Sequence, residues 1–269
     1  MKKIFLVLVS SLLMFSTSSF AKDVSAYLVG SHAELESVKN SLSSAGFEVI
    51  AEYAPVKEGT TIVFTNSALK AEAAKEKRAH AAVLRVFVDD KEKMISITNP
   101  VYFGRAFMQD DYQADVFEAQ LSSLNSAFKG LEGSVDKLDE DDLSGYNFMF
   151  GMPSYEDADE LAEASNGELL EKVRSYKKGK KVIFELKLSD KSTLVGYDLD
   201  KRTKKFVKKI GRANAAVLPY CISIEDGVAT ALGAKYYLAV SYPLLSMGEF
   251  MTISTVPGAI NKDLSKPFK

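Results

Sequence analysis

The feature that most restricts the fold is an internal echo. Residues 79–88, AHAAVLRVFV, return almost unchanged as residues 213–222, ANAAVLPYCI, an offset of 134. Carried forward, that offset sets MISITNPVYFGRAF (94–107) on VATALGAKYYLAVS (228–241), so that Tyr102-Phe103 falls on Tyr236-Tyr237. Carried back with a slip of one or two residues, it sets GFEVIAEYAPVKEGTTIVFTN (46–66) on GKKVIFELKLSDKSTLVGYD (179–198); the starts, AYLVGS (26–31) and FMFGMP (148–153), lie off that offset and agree only in kind. A period this long means two copies of a domain, not a solenoid of short units.

Each copy reads in the same order. A short apolar strand leads into a helix, with Leu35, Val38 and Leu42 on one face in the first copy and Leu169, Leu170 and Val173 in the second. Two strands rich in Val, Ile, Phe and Thr follow, then a charged helix, then a strand pair joined by DDKEK or EDG. The expectation is an α+β chain of two docked copies of a β-α-β-β-α-β-β two-layer domain with mainly antiparallel sheets, a pseudo-dimer within one chain. The first repeat is expected over 22–107, an amphipathic helix and acidic linker over 108–143, and the second repeat with a C-terminal helix and tail over 144–269.

In the linker, Phe117, Leu121, Leu124 and Phe128 recur at helical spacing and must pack on something, which favours docked halves. The acidic DKLDEDDLSG after it reads as a solvated loop. PLLSMGEFMTISTVPGAI reads as a short helix and an extended tail, with Pro257-Gly258 ending regular structure.

The amino terminus carries Lys2 and Lys3, an apolar run from Ile4 to Phe15, and a small polar stretch closing on Ser19-Phe20-Ala21. This is the pattern of a cleaved secretory signal over 1–21, with an apolar run too short to span a bilayer, so a periplasmic protein that is not membrane-embedded is expected. One cysteine excludes an internal disulfide, leaving core burial to supply stability. Loss of the two signal lysines takes the formal charge from −2 to −4 (32 basic against 36 acidic), which gives nucleic acid no footing. Charge is uneven, however: 109–171 holds 17 acidic and 2 basic residues, and 172–212 holds 15 basic and 4 acidic. The two segments either neutralise one another or leave the basic one facing an anionic partner.

The segment TTIVFTNSALKAEAAKEKRAHAAVLRVFVDDKEKMISITNPVYFGRAF (60–107) resembles the signature of the domain-of-unknown-function 302 family. Phe64-Thr65-Asn66-Ser67 stands at that family's first turn, Thr98-Asn99-Pro100-Val101-Tyr102 at its close, and Leu218-Pro219 at its Leu-Pro. Thr65 replaces a glycine, Arg85 replaces a proline, and Gly233-Ala234 replaces Asn-Pro in the second copy. The resemblance implies a TATA-binding-protein-like α+β fold, often paired, and no activity.

Few residues offer chemistry. Strand alternation puts Cys221, the counterpart of Phe87, on a mixed face with Ala215, Val217, Pro219 and Ser223, opposite the purely apolar Ala216, Leu218, Tyr220 and Ile222. A thiol in place of a phenyl ring reads first as a packing residue against the other copy, and no histidine flanks it in sequence to activate it. His32 and His80 each stand alone at a helix end. Met149 with Met152, and Met247 with Met251, offer thioether pairs to a soft metal but read first as apolar filler. The carboxylate pairs Asp110-Asp111, Asp141-Asp142 and Glu156-Asp157 sit in polar stretches that do not raise a pKa. No catalytic residue, metal ligand or cofactor is predicted. The remaining candidates are aromatic and basic residues at corresponding places: Arg85, Tyr102, Phe103, Cys221, Lys235, Tyr236 and Tyr237, with Arg105, either cementing the copies or lining a ligand cleft between them. The expected function is an exported binding or accessory protein for a small molecule or periplasmic partner. The alternative is a thiol- or metal-dependent redox protein using Cys221 with Met or His.

Overall fold

The computed structural model describes residues 22–269; the signal peptide expected over 1–21 lies outside them. In chain order the first half comprises β1 (Asp23–Ser25), β2 (Tyr27–Ser31), α1 (Leu35–Ser44), β3 (Glu48–Val56), β4 (Gly59–Thr65), α2 (Ser67–Ala73), β5 (Leu84–Asp89), β6 (Met94–Thr98), α3 (Pro100–Met108) and α4 (Ala114–Ala127). Then come β7 (Glu132–Gly133), β8 (Lys137–Asp139), β9 (Asp159–Glu163), α5 (Asn166–Ser175), β10 (Val182–Lys187), β11 (Ser192–Tyr197) and α6 (Val207–Ile210). The chain closes with β12 (Tyr220–Glu225), β13 (Val228–Ala231), α7 (Ala234–Ser241), α8 (Met247–Thr252) and α9 (Val256–Ser265). Short 3-10 turns at Ala79–Ala82 and Arg212–Val217 precede β5 and β12.

The fold is α+β with antiparallel sheets, as the strand and helix patterns predict. One sheet runs β3-β4-β5-β6-β2-β7 and the other β10-β11-β12-β13-β9, while β1 pairs with β8. With β7 set aside, both are built alike: two adjacent hairpins, with the strand that opens the unit on the far edge. Among the described residues no helix is long and apolar enough to cross a membrane.

Five local readings change. The second unit opens on β9 and not on residues 148–153, which form no strand and expose Phe150, and a 3-10 turn stands at Arg212–Val217 where strand alternation is read from Ala215. Each strand pair is followed by a helix, α3 or α7, that the Val- and Tyr-rich sequence does not announce. For α3 the start is set by Asn99, whose side chain accepts from the Val101 amide (3.0 Å), and by Pro100 in the first turn. Pro257 likewise opens α9 instead of ending regular structure, because a fixed φ and a missing N–H suit a first helical turn. Within the acidic linker, Lys137–Asp139 finds backbone partners in β1, so that stretch is not merely a loop. Helix α4 forms where expected and lies on α1 and α3 of the first half, burying Phe117 and Leu124. Gly104 permits this approach, since a Cβ there would strike the Phe117 ring.

The halves meet through the mixed faces of their sheets. On β5 that face carries Arg85, Phe87 and Asp89, and α1 and α5 pack on β3–β4 and β12–β13 respectively. Asp89, with a fully buried side chain, takes a bidentate fork from Arg212 (Nε to Oδ2 2.8 Å, Nη2 to Oδ1 2.7 Å). Arg212 also donates to the Glu58 carbonyl (2.6 Å) and lies 5.8 Å from the Phe87 ring centroid. Two tyrosines make a reciprocal pair of bonds: Tyr102 Oη on α3 donates to the Val240 carbonyl on α7 (2.8 Å), and Tyr236 Oη on α7 donates to the Ala106 carbonyl on α3 (3.0 Å). At the edge of β3, Tyr53 Oη donates to Asp198 Oδ1 (2.6 Å), which Lys204 also holds (2.7 Å).

Removing Arg212 leaves a buried carboxylate whose charge only the Lys91 and Glu92 amides then meet. Arg212→Ala is therefore expected to cost about 3–5 kcal/mol in urea denaturation. Asp190→Asn, which removes the exposed Lys187–Asp190 pair, should leave the urea midpoint essentially where it is in the wild type, because solvent already screens that contact.

Candidate functional site

Period-two alternation along β12 turns Cys221, Ser223 and Glu225 to the face that meets the first half. Register extends that face sideways, because Ser223 pairs with Thr230, Glu225 with Val228, and Thr230 with Glu160 of β9. The result is a floor that runs from a sealed end at Cys221 to an open end at Glu225.

At the sealed end Arg85 of β5 reaches across. Its Nη2 donates to the Pro219 carbonyl (3.2 Å) and to Cys221 Sγ (3.1 Å), while its Nε is buried without a partner. No carboxylate among the described residues pairs with this guanidinium, which is only 4% exposed. His80, Phe107, Tyr220, Leu232 and Tyr237 complete a cavity of about 10 Å³ around Arg85 and Cys221, room for about one water-sized molecule. Burial pushes the Cys221 thiol up and Arg85 only opposes that rise, so the sulfur is a protonated packing atom. In the row Phe184–Gly196–Cys221 the Phe184 ring lies over Gly196, where a Cβ would strike it, whereas the corresponding row has Tyr53, Thr61 and Phe87.

At the open end the same face widens into a cleft of about 350 Å³. Ala158, Glu160, Ser223, Glu225, Asp226, Val228, Thr230 and Leu232 come from the second half, with the Tyr155-Glu156 turn; Glu76, Lys77 and His80 come from the first. The upper wall is tied down: the Lys77 amide donates to Glu225 Oε2 (3.1 Å) and Tyr155 Oη donates to the Lys77 carbonyl (2.6 Å). Lys77 holds a left-handed backbone (φ 59°), uncommon for a residue with a Cβ. His80 and Leu232 line both spaces and so form the partition between cleft and cavity.

Two polar groups in this wall lack partners. His80 is 8% exposed and its ring hydrogen-bonds no described residue; burial, aided by the charge of Arg85, pushes the imidazole from its ordinary 6.5 down to about 3, so it is neutral. Ser223 is buried and its Oγ is unsatisfied. Positions 134 residues away are occupied differently. Asn214, opposite His80 in the offset, donates to Asp136 Oδ2 (3.0 Å) and the Ser241 carbonyl (3.3 Å), and Asp89, opposite Ser223, is held by Arg212. Arg78, opposite Arg212, turns away to Asp111 and Glu156 (2.9 Å each) and lies over Tyr155. One side of the contact between halves is thus filled by a charge pair, and the other is open.

Of the residues singled out in the sequence, Arg85, Cys221 and Tyr237 converge on the small cavity. Tyr102, Phe103 and Tyr236 are buried in aromatic packing beside it, with Phe103 5.1 Å from the Tyr102 ring and 5.5 Å from that of Phe107. Lys235 is exposed at a separate depression beside Pro153, Asp157 and Pro257. Arg105 lies over Tyr112. Met149, Met247 and Met251 are exposed, and His32 pairs with Asp90 at the surface (2.9 Å). His80 comes to the thiol from the other half, so the absence of a sequence neighbour misjudged its surroundings. Ser223 is named in the sequence only as a face-mate of Cys221, and Thr230, Glu225 and Glu160 are missed altogether; their shared face follows from alternation once the strand register is known. Comparison of the chain with protein-family models, curated proteins and solved structures finds no match.

Two outcomes follow from these burials. Cys221 should resist an aromatic disulfide reagent in the native protein and react fully in denaturant; rapid native reaction would contradict the sealed cavity. For His80 the folded ring titrates near 3 and the unfolded ring near 6.5, so between those values the unfolded chain binds more protons and stability falls on acidification. The slope is about 1.4 kcal/mol per pH unit, so His80→Asn should lose about 2–3 kcal/mol less than the wild type from about pH 6.5 to about pH 4.5 in urea titrations.

Proposed function

We propose that this chain is an exported, non-enzymatic binding protein made of two diverged copies of one α+β domain, holding a small ligand in the cleft between them. Support for the two-copy origin is the 134-residue echo, the common strand order, and the reciprocal tyrosine bonds, whose donors Tyr102 and Tyr236 and acceptors Ala106 and Val240 each differ by that offset. A self-complementary contact of this kind is what two copies related by a two-fold axis make. The tandem is also the fused form of the pairing that the domain-of-unknown-function 302 resemblance implies.

The observation that carries the binding reading is the cleft wall itself: Ser223, whose buried Oγ has no partner, and neutral His80, whose ring bonds no described residue, stand where Asp89 and Asn214 are hydrogen-bonded. Buried polar groups without partners cost stability and persist where a ligand supplies the missing bonds. Nothing near Cys221 makes a thiolate, so the redox reading draws no support from its surroundings.

Ser223→Ala separates function from folding. Deleting an unsatisfied hydroxyl should leave the melting temperature unchanged or raise it, while protein isolated from its own extracytoplasmic compartment should retain less small molecule in native mass spectra. Thr230→Trp, which fills the cleft from its floor, should abolish retention. Equal retention by wild type and Thr230→Trp would defeat the proposal.

A further inference from the structure

Resting on that reading of the cleft, we infer that its ligand is an organic cation: a primary amine carried on a short apolar body. Five carboxylates line the space, those of Glu76, Glu156, Glu160, Glu225 and Asp226, against the single ammonium of Lys77. Glu156 is engaged by Arg78 (2.9 Å) and Asp226 by the exposed Lys191 (3.3 Å). Glu76, Glu160 and Glu225 form no ion pair with any described residue. Glu225 is half-buried and accepts only the Lys77 amide, in a setting that Asp226 and Glu76 make more negative.

A concave site with one sign of charge and low-dielectric walls concentrates its field on the occupant. That field repels an anion; Glu76 and Glu160 are exposed and hydrated, and the half-buried Glu225 is the carboxylate that a neutral ligand would leave without a counter-charge. The carboxylates do not converge: among the described residues no three acidic, His or Cys side chains gather closely enough to hold a metal ion. A spread of negative charge suits a polyatomic cation. Ala158, Val228, Leu232 and Tyr155 supply apolar wall for its body, and about 350 Å³ fits a small molecule. Neutral His80 and Ser223 add what carboxylates do not. A neutral imidazole accepts at one ring nitrogen and donates at the other, and a hydroxyl does both, so they orient an ammonium whose charge the glutamates attract.

Isothermal titration of the full mature chain with 1,4-diaminobutane, 1,4-butanediol and glutarate tests this. The diamine is expected to bind, about tenfold more weakly in Glu160→Gln/Glu225→Gln and at high salt, and equally well in Asp190→Asn, whose carboxylate lies on an exposed turn away from the cleft. Melting curves check that the double variant is folded, and the amide carbonyl that Glu225→Gln puts in place of the carboxylate can still accept the Lys77 N–H. If glutarate or butanediol binds instead and Thr230→Trp abolishes that binding, the cation inference is overturned and the cleft stands. If none of the three binds, the amine inference is overturned, and the retention experiment with Thr230→Trp decides the cleft separately.

Discussion

The Arg212–Asp89 pair is the contact on which the meeting of the two sheets depends. The buried Asp89 carboxylate accepts from the Lys91 and Glu92 amides of its own turn (3.0 and 3.1 Å), and its charge is met by the fork of a guanidinium that belongs to the other half of the chain. The same guanidinium lies over Phe87 and donates to the Glu58 carbonyl, so one side chain engages both β5 and the turn between β3 and β4. Gly59 makes this possible: a Cβ there would run into the Phe87 ring and crowd Arg212. A mixed sheet face that would otherwise need solvent is in this way closed against protein. Tyr102 and Tyr236 then fix the relative placement of α3 and α7 with one hydrogen bond in each direction.

Across the contact the same positions are used to the opposite effect. Asp89 is answered by Ser223, Phe87 by Cys221, and Arg212 by Arg78, which turns outward to Asp111 and Glu156. Losing the aspartate removes the reason for an arginine to point inward. Losing the phenyl ring opens the volume into which Arg85 extends from the first half. What remains is a sealed pocket at Arg85 and Cys221 and an acid-lined cleft at Glu225, separated by His80 and Leu232. In the proposed reading, divergence of the copies made one half of a symmetric contact structural and freed the other to bind.

Much of this was legible in the sequence, and the parts that were not have physical reasons. Alternation places Cys221 on the face opposite Tyr220 and Ile222, and within β12 that assignment stands; upstream it does not, because Arg212–Val217 is a 3-10 turn and Leu218 precedes the strand. The helix α3 was hidden because Val101, Tyr102 and Phe103 favour strands, while the cap at Asn99 and the proline after it outweigh that preference. Pro257 misled in the same way. His80 was hidden for a different reason: its neighbours Arg85 and Cys221 come from strands of different sheets and Leu232 from the turn after β13, and such spatial neighbours leave no mark on spacing. The reach of Arg85 into the second half was visible only as an oddity, an arginine where the corresponding residue is Pro219.

The uneven charge along the chain resolves into geography instead of neutralisation. Lys177, Lys181, Lys201, Lys204, Lys205 and Lys208 gather with Lys57 around a groove beside the β3 edge, where Asp198 and Asp200 offset only part of their charge. The acidic residues of the cleft come from elsewhere, Glu76 from the first half and Glu156, Glu160, Glu225 and Asp226 from the second. A near-neutral chain therefore carries two fields of opposite sign at separate places, and screening over roughly 8–10 Å at ordinary salt keeps each local. Net charge is then a poor guide to what such a protein attracts. The binding preference of the cleft depends on the three carboxylates left unpaired within it, and the lysines in the distant groove do not cancel them.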